Sequence, residues 1–451
     1  MNLARKQFMV PVLGALLLAG MCVESIALGS SRTTLPLSTL VAVGALPVLL
    51  VLHSKLRSGP ITRSVVMFVM YAVVHSIVAL MIDVATGADA MIRLIAWVRQ
   101  IAAVFGGLAV YLVYRQVLPL LDDRQVTSYL WMGLVPASVL ATLAILWGFF
   151  DWAWAGRLLG WIVETLPING YVARGRAAGL SLEPAHFAVY LVTIGFPAVV
   201  YAFGAAHSSR WRAPIALLFT GIAFAWTFSL TGVAALLGAL AAVLISPSYR
   251  KYGAALACIV LLVLAGTLVY PNNYMKRQAR ALVSAVRVEN MAWNASITDT
   301  FYSLVGPLMA TDTSWVIVGY GLGGTSTHFD ELIPEYARET LARAKRENLP
   351  NLGSMVGRVY AETGLLGLIL FIRVWWVAFR VLRKWESRQH LRKVSHLAVA
   401  GARMGLGGTA VAFTLKIGSF ALPYFWFWLA LVESRSRERR QGERVRTECA
   451  F

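Results

Sequence analysis

With 451 residues, 58% of them hydrophobic and only 14% charged, the chain departs from ordinary soluble domains, in which roughly a quarter of residues are charged. A formal net charge of +19 would point to nucleic acid in a soluble protein, but in a chain this apolar the basic residues first have to be sorted by side of the membrane. Cys22 and Cys258 lie in apolar runs and Cys449 in the tail, so the three cysteines support no disulfide framework.

In chain order, the segment Met1 to Val23 begins with Arg5 and Lys6 and continues apolar. Met21 stands where a small residue should precede a lipoprotein-type cysteine, so the segment is read as an uncleaved first span. Apolar runs long enough to cross ~30 Å of hydrocarbon predict spans near 9–29, 35–54, 64–84, 94–114, 128–150, 184–205, 213–229, 231–246, 253–271, 357–376, 399–415 and 417–433. The fold class expected is all-α, a polytopic transmembrane helical bundle of about twelve spans. Residues 1–271 would form an N-terminal bundle of about nine spans, 272–356 a long loop region with short helices, 357–433 the C-terminal spans and 434–451 a basic tail.

Connections 55–63, 115–124, 207–212, 249–252, 380–393 and the tail from Arg435 to Arg446 all carry Lys or Arg. The positive-inside rule therefore puts them, and both termini, in the cytoplasm. For the tail, contact with inner-leaflet headgroups is the simpler reading, and no nucleic-acid partner is expected. Two outer segments exceed a turn. The first, 151–182, carries Trp152, Trp154 and Trp161, which suit an interfacial aromatic belt. The second holds an expected amphipathic helix over 273–288, a glycine-rich turn at Gly319 to Gly324 and a charged helix over 330–348.

Ionisable residues concentrate at the outer ends of spans. Arg176 precedes Glu183 and Pro184, which open the sixth span. A guanidinium there lies where topology does not favour positive charge, and it suits bidentate phosphate binding. His186, one turn on, reads as a polar residue satisfied within the bundle. Arg358 and Glu362 share a helix face at i, i+4. They are either a functional pair at membrane depth or a self-neutralising structural one. Ser229-Leu-Thr231-Gly232 reads as a tight turn, Gly364 and Gly367 as helix-packing positions, and His328 as a loop histidine able to act as a base. No metal, haem, nucleotide-loop or Ser-His-Asp pattern is present, so any chemistry should draw on an activated substrate already in the membrane.

The ordered set Arg176-Ala-Ala-Gly-Leu-Ser-Leu-Glu183-Pro, Ser229-Leu-Thr-Gly, Gly319-Tyr-Gly-Leu-Gly and Tyr360-Ala-Glu362-Thr-Gly-Leu-Leu-Gly367 resembles the bacterial O-antigen polymerase and O-antigen ligase superfamily, which includes exopolysaccharide polymerases. The resemblance covers roughly residues 150–380 and implies a GT-C-like inner-membrane enzyme with its active site facing the periplasm. It implies transfer of a glycan from an undecaprenyl-pyrophosphate carrier to a hydroxyl, without metal or cofactor and with inversion. It also implies membrane lipid, a chain-length regulator and a flippase of the same pathway as partners. Carried over by position, Arg176 would bind the pyrophosphate, joined by Arg358, Arg280 and Arg287, with Lys276 and Arg277 widening a basic entrance. Glu362, Glu183 and His328 are the candidate bases, in that order. Family ligases place a histidine where Asn351 to Ser354 stand here and an arginine beside the turn at Ser229, and both gaps favour a polymerase over a ligase to lipid A core. A lipid-linked oligosaccharide transporter is the remaining alternative, though no paired halves are evident.

Overall fold

The computed structural model describes residues 3–52, 59–165, 176–205, 212–251, 303–307, 315–332, 352–387 and 396–448, apart from 25, 28–33, 88, 182 and 417, together with scattered positions between 253 and 265. The expected ninth span falls mostly outside the described residues, as do the expected helix over 273–288 and most of that over 330–348.

In hydrocarbon every backbone N–H and C=O must be satisfied within its own segment, so apolar runs of this length become helices. The early helices are α1 (Leu3–Ala19), α2 (Leu37–Leu52), α3 (Pro60–Ala85), α4 (Ala90–Val117) and α5 (Asp123–Phe150). They are followed by α6 (Ala153–Thr165), α7 (Pro184–Tyr190), α8 (Phe196–Ala205), α9 (Arg212–Ala225) and α10 (Leu230–Leu244). Three single turns come next, α11 (Trp315–Val318), α12 (Gly324–Thr327) and α13 (Phe329–Leu332). The long α14 (Met355–Ser387), α15 (His396–Leu415) and α16 (Pro423–Glu448) close the chain. Ile26 and Ala27 pair antiparallel with Leu35 and Thr34 in a two-residue ladder.

Helix starts follow local chemistry. Asp89 caps α4 by accepting from the N–H groups of Met91 and Ile92, Asp122 and Gln125 form a capping box on α5, and proline occupies the first position of α3 and α7. Among the described residues six segments are long and apolar enough to cross a membrane: Pro60–Ala85, Ala90–Leu120, Asp123–Phe150, Pro184–Gly204, Met355–Ser387 and Leu397–Leu415. Four shorter apolar helices accompany them. This is a polytopic helical membrane protein, and Met70, Met81, Leu218, Ile372 and Trp376 stay exposed where lipid would meet them. The tryptophans expected at an interface behave alike: Trp152, Trp154 and Trp161 on and before α6 are all exposed.

The centre of the bundle is α16. Every residue from 420 to 435 is buried, including Trp426 and Trp428 at 1% and 0% exposure, and the helix packs on α4, α14 and α15. Trp428 donates its indole N–H to the Thr193 carbonyl at 2.7 Å, within a π-helical turn at Leu191–Gly195 that releases that carbonyl from the usual ladder. Towards its C-terminal end, α16 brings Glu433 to the hydroxyls of Thr62 and Tyr111 and Arg435 to Asp123 at 2.8 Å. Arg403 binds Glu386 at 2.5 Å on α15 and α14. These groups belong to the end of the bundle that bears the basic connections, called the basic end below.

α10 and α15 cross closely because small residues line the seam. A Cβ on Gly238 would collide with Val411, and one on Gly407 would sit 2.9 Å from the Gly238 carbonyl. Gly238→Leu is therefore expected to overpack the seam and cost roughly 1–3 kcal/mol, read as a lowered thermal midpoint of the detergent-solubilised protein, whereas Leu237→Ala on the exposed face should leave the midpoint unchanged.

Candidate functional site

Two polar clusters occupy the end of the bundle opposite the basic one, and a single loop between α15 and α16 joins them. The first centres on α14. Arg358 and Glu362 are ion-paired as their spacing predicts, with Nε to Oε1 at 3.1 Å, and they are 6% and 0% exposed. The same Oε1 accepts from the Gly323 N–H at 3.0 Å and the Thr325 hydroxyl at 2.9 Å, while Oε2 is buried without a hydrogen-bond partner among the described residues. Arg358 also donates to the Gln100 amide oxygen on α4 and, at 2.5 Å, to the carbonyl of Gly418.

The glycine-rich turn serves this carboxylate. Its N–H groups at Tyr320 and Gly321 bond to the carbonyls of Ala361 and Glu362 at 2.8 and 2.7 Å. Its carbonyls at Tyr320 and Leu322 accept from the fully buried guanidinium of Arg93 at 2.8 and 3.0 Å, and Arg93 Nε pairs with Asp83 at 2.5 Å. Gly319, Gly321 and Gly323 hold positive φ between 75° and 83°, a region L residues rarely adopt. The turn is thus bound to protein groups on both faces. Opposite it Gly364, at φ 65° and ψ −170°, breaks the helical path of α14 where the backbone of Ile317 and Val318 presses in. Close packing was the expectation for Gly364, and a kink comes with it.

His328 follows the turn, stacked on Tyr320 with ring centroids 4.3 Å apart. Nδ1 lies 3.0 Å from Glu331 and Nε2 3.6 Å from Asp83. Burial alone would lower the pKa of the ring, but the carboxylates of Asp83 and Glu331 raise it above the usual histidine value.

The second cluster surrounds α7. Arg176 donates from Nε and Nη2 to the Thr227 carbonyl at 3.1 and 3.0 Å, docking its strand on the turn before α10, whose Ser229 caps the helix through the Gly232 N–H at 3.1 Å. The side chain of Glu183 is 42% exposed; Lys416 Nζ lies 3.4 Å from it and His186 Nε2 3.8 Å. Burial pushes the pKa of this carboxyl up, and Lys416, His186 and Arg176 more than reverse that, so it falls below the ordinary value. His186 Nδ1 faces buried Glu24 at 3.4 Å, and Tyr424 donates to the other oxygen of Glu24 at 2.6 Å. His186 is thus held within the bundle, as expected for it.

Of the candidate site residues, the structure pairs Arg358 with Glu362, while Arg176 binds the Thr227 carbonyl and Glu183 meets Lys416 and His186. His328 lies on the far side of the glycine turn from Glu362. Arg280 and Arg287, with Lys276 and Arg277, lie outside the described residues. Sequence reasoning passed over Asp83, Arg93, Gln100, Glu24 and Lys416. Three of these carried a readable signal: Asp83 and Arg93 are opposite charges at facing span ends, and Lys416 is a cation at the same end as Arg176, the same anomaly that singled out Arg176. Among the described residues no three His, Cys, Asp or Glu side chains converge as metal ligands would. No protein-family model matches the chain, and no curated protein is similar to it.

Removing one partner of a buried pair leaves the other charge uncompensated, so Glu362→Gln is expected to destabilise the protein by about 3–5 kcal/mol, measured by thermal unfolding. The double change Arg358→Met with Glu362→Leu, which removes both charges together, should recover much of that loss in the same measurement. The His328 contact adds a pH dependence. Because the folded ring binds its proton more tightly than the unfolded one, its stabilisation is complete below the unfolded value of about 6.5 and is lost as pH rises through the raised folded value. His328→Gln should flatten stability against pH across that window.

Proposed function

We propose that the protein is an inner-membrane polysaccharide polymerase, acting on O-antigen or exopolysaccharide, that moves a glycan from an undecaprenyl-pyrophosphate carrier to the hydroxyl of another lipid-linked repeat unit. In this reading the chain is a GT-C-like bundle of about twelve spans with both termini cytoplasmic, and the end holding the two clusters faces the periplasm. The observation that carries it is the convergence of Arg176, Glu183 and Lys416 beside the Arg358–Glu362 pair, joined through Lys416 and Gly418, at the end away from the basic connections. The order of sequence motifs supports it independently.

The reaction asks little covalent chemistry of the protein. The acceptor hydroxyl attacks the anomeric carbon from the face opposite the leaving group, the carbon–oxygen bond to the pyrophosphate breaks, and its electron pair leaves with the diphosphate. Fixed cations lower the barrier by stabilising the charge that develops there. Arg176 and Lys416 suit that role: Lys416 lies 3.4 Å from the partly exposed Glu183, and the charge of Arg176 helps hold that carboxyl ionised. Glu183 takes the hydroxyl proton; it is ionised at neutral pH and reaches solvent, whereas Glu362 is fully enclosed. Glu362 and Arg358 hold the glycine turn, α4 and the α15–α16 loop in register beside it.

The test is deletion in the native host, with gel separation of surface and secreted polysaccharide and mass analysis of lipid-linked intermediates. Accumulated single repeat units without long polymer are expected. Long chains that remain on the carrier and fail to reach lipid A core would indicate a ligase, and unchanged glycans would overturn the enzyme reading. Complementation with Arg176→Ala should restore protein but not polymer, and polymer of wild-type length from that variant would remove Arg176 from the mechanism.

A further inference from the structure

Away from both clusters, α5, α8 and α9 leave a groove of about 930 Å³, and most of its exposed wall is apolar. It starts at the basic end, where Arg124 and Ser128 are exposed one turn apart on the first turns of α5. From Arg124 to Trp131 the helix rises ~10 Å, and from Trp131 to Leu143 a further ~18 Å, at ~1.5 Å per residue. Those lengths match one membrane leaflet: a headgroup layer several ångströms deep, then half of a hydrocarbon core of ~30 Å. An interfacial tryptophan marks the boundary between them.

The chemistry along the groove changes in the same order. The carboxylates beside Arg124 are engaged elsewhere: Asp122 caps α5 through the Gln125 N–H at 2.7 Å, and Asp123 is held by Tyr201 at 2.5 Å and Arg435 at 2.8 Å. The guanidinium thus faces the groove mouth beside the positive end of a 28-residue helix. Just inside, Thr220 is 1% exposed and its buried hydroxyl has no hydrogen-bond partner among the described residues. It lies level with Leu134, since a Cβ on Gly195 would touch both at 3.3 Å. A buried hydroxyl without a partner costs free energy unless a ligand supplies an acceptor. Deeper still, the wall is Val135, Val139 and Leu143, with the Thr142 hydroxyl turned back onto the Ser138 carbonyl at 2.9 Å.

We propose that this groove is a binding site for one anionic glycerophospholipid. The phosphate lies between Arg124 and Ser128, an ester carbonyl accepts from Thr220 just below Trp131, and one acyl chain runs along Val135 to Leu143. An anionic head on an ester-linked chain satisfies each feature: the cation at the mouth, the stranded hydroxyl at ester depth, and the apolar length of a single leaflet. The site is independent of the glycan-transfer reading, because it shares no residue with either cluster at the other end.

The test uses the full chain in nanodiscs holding phosphatidylglycerol and phosphatidylcholine in equal amounts, with lipids retained after extraction into mild detergent counted by native mass spectrometry. The wild type should retain phosphatidylglycerol in preference by on the order of tenfold, as one charge-assisted contact would give. Arg124→Ala should abolish the preference while a phospholipid stays bound, Thr220→Val should lower retention of both lipids, and Val139→Trp, which fills the groove from an exposed position, should remove both. Thermal midpoints of the three variants check that they fold. Equal retention of the two lipids by the wild type, or the same lipid profile from wild type and Val139→Trp, overturns the proposal. So does recovery of a co-purified polyprenyl phosphate in place of a glycerophospholipid.

Discussion

The carboxylate of Glu362 is the point on which the half of the molecule away from the basic end depends. One oxygen gathers the Arg358 guanidinium, a backbone N–H of the glycine turn and the Thr325 hydroxyl, and Arg358 in turn reaches α4 through Gln100 and the α15–α16 loop through Gly418. Segments hundreds of residues apart therefore meet around a single charge. Burying one ion costs several kcal/mol, and only close geometry with further hydrogen bonds offsets that. The glycine turn provides the geometry, because its positive φ values aim N–H groups at α14 and carbonyls at Arg93.

The same logic is repeated at the opposite end by Glu433 and Arg435, and it explains why α16 is enclosed by protein. A helix that carries ionisable groups at membrane depth is excluded from lipid contact. Its middle turns, Phe425 to Val432, are apolar and fill the centre of the bundle, while each end engages charges contributed by other helices. Polar chemistry is thereby confined to the two ends, where water and headgroups lie. The substrate reading uses one of those ends and the lipid groove the other.

At the end away from the basic connections the two carboxylates sit in different environments. Glu183 stays partly exposed among Lys416, His186 and Arg176, so it is ionised and reachable. Glu362 has greater coordination and no exposure, which suits it to holding backbone in place. The order of candidate bases that the family resemblance implies put Glu362 first; enclosure is not visible in a sequence.

By itself the sequence determined the solvent. Apolar runs, proline and aspartate caps and the placement of Lys and Arg define helices, a membrane and a basic end, because hydrocarbon leaves a backbone few ways to satisfy its own hydrogen bonds. It also made the Arg358–Glu362 pair legible, since that contact lies within one helix. Only the tertiary structure decided that Arg93 and Asp83 clamp the glycine turn, that Lys416 stands beside Glu183, and that the N–H groups of Tyr320, Gly321 and Gly323 bond to Ala361 and Glu362. The physical reason is range: propensity, capping and periodicity act over a few residues, whereas these contacts join positions up to about two hundred residues apart or more, and which charge finds which partner is fixed only when the helices pack.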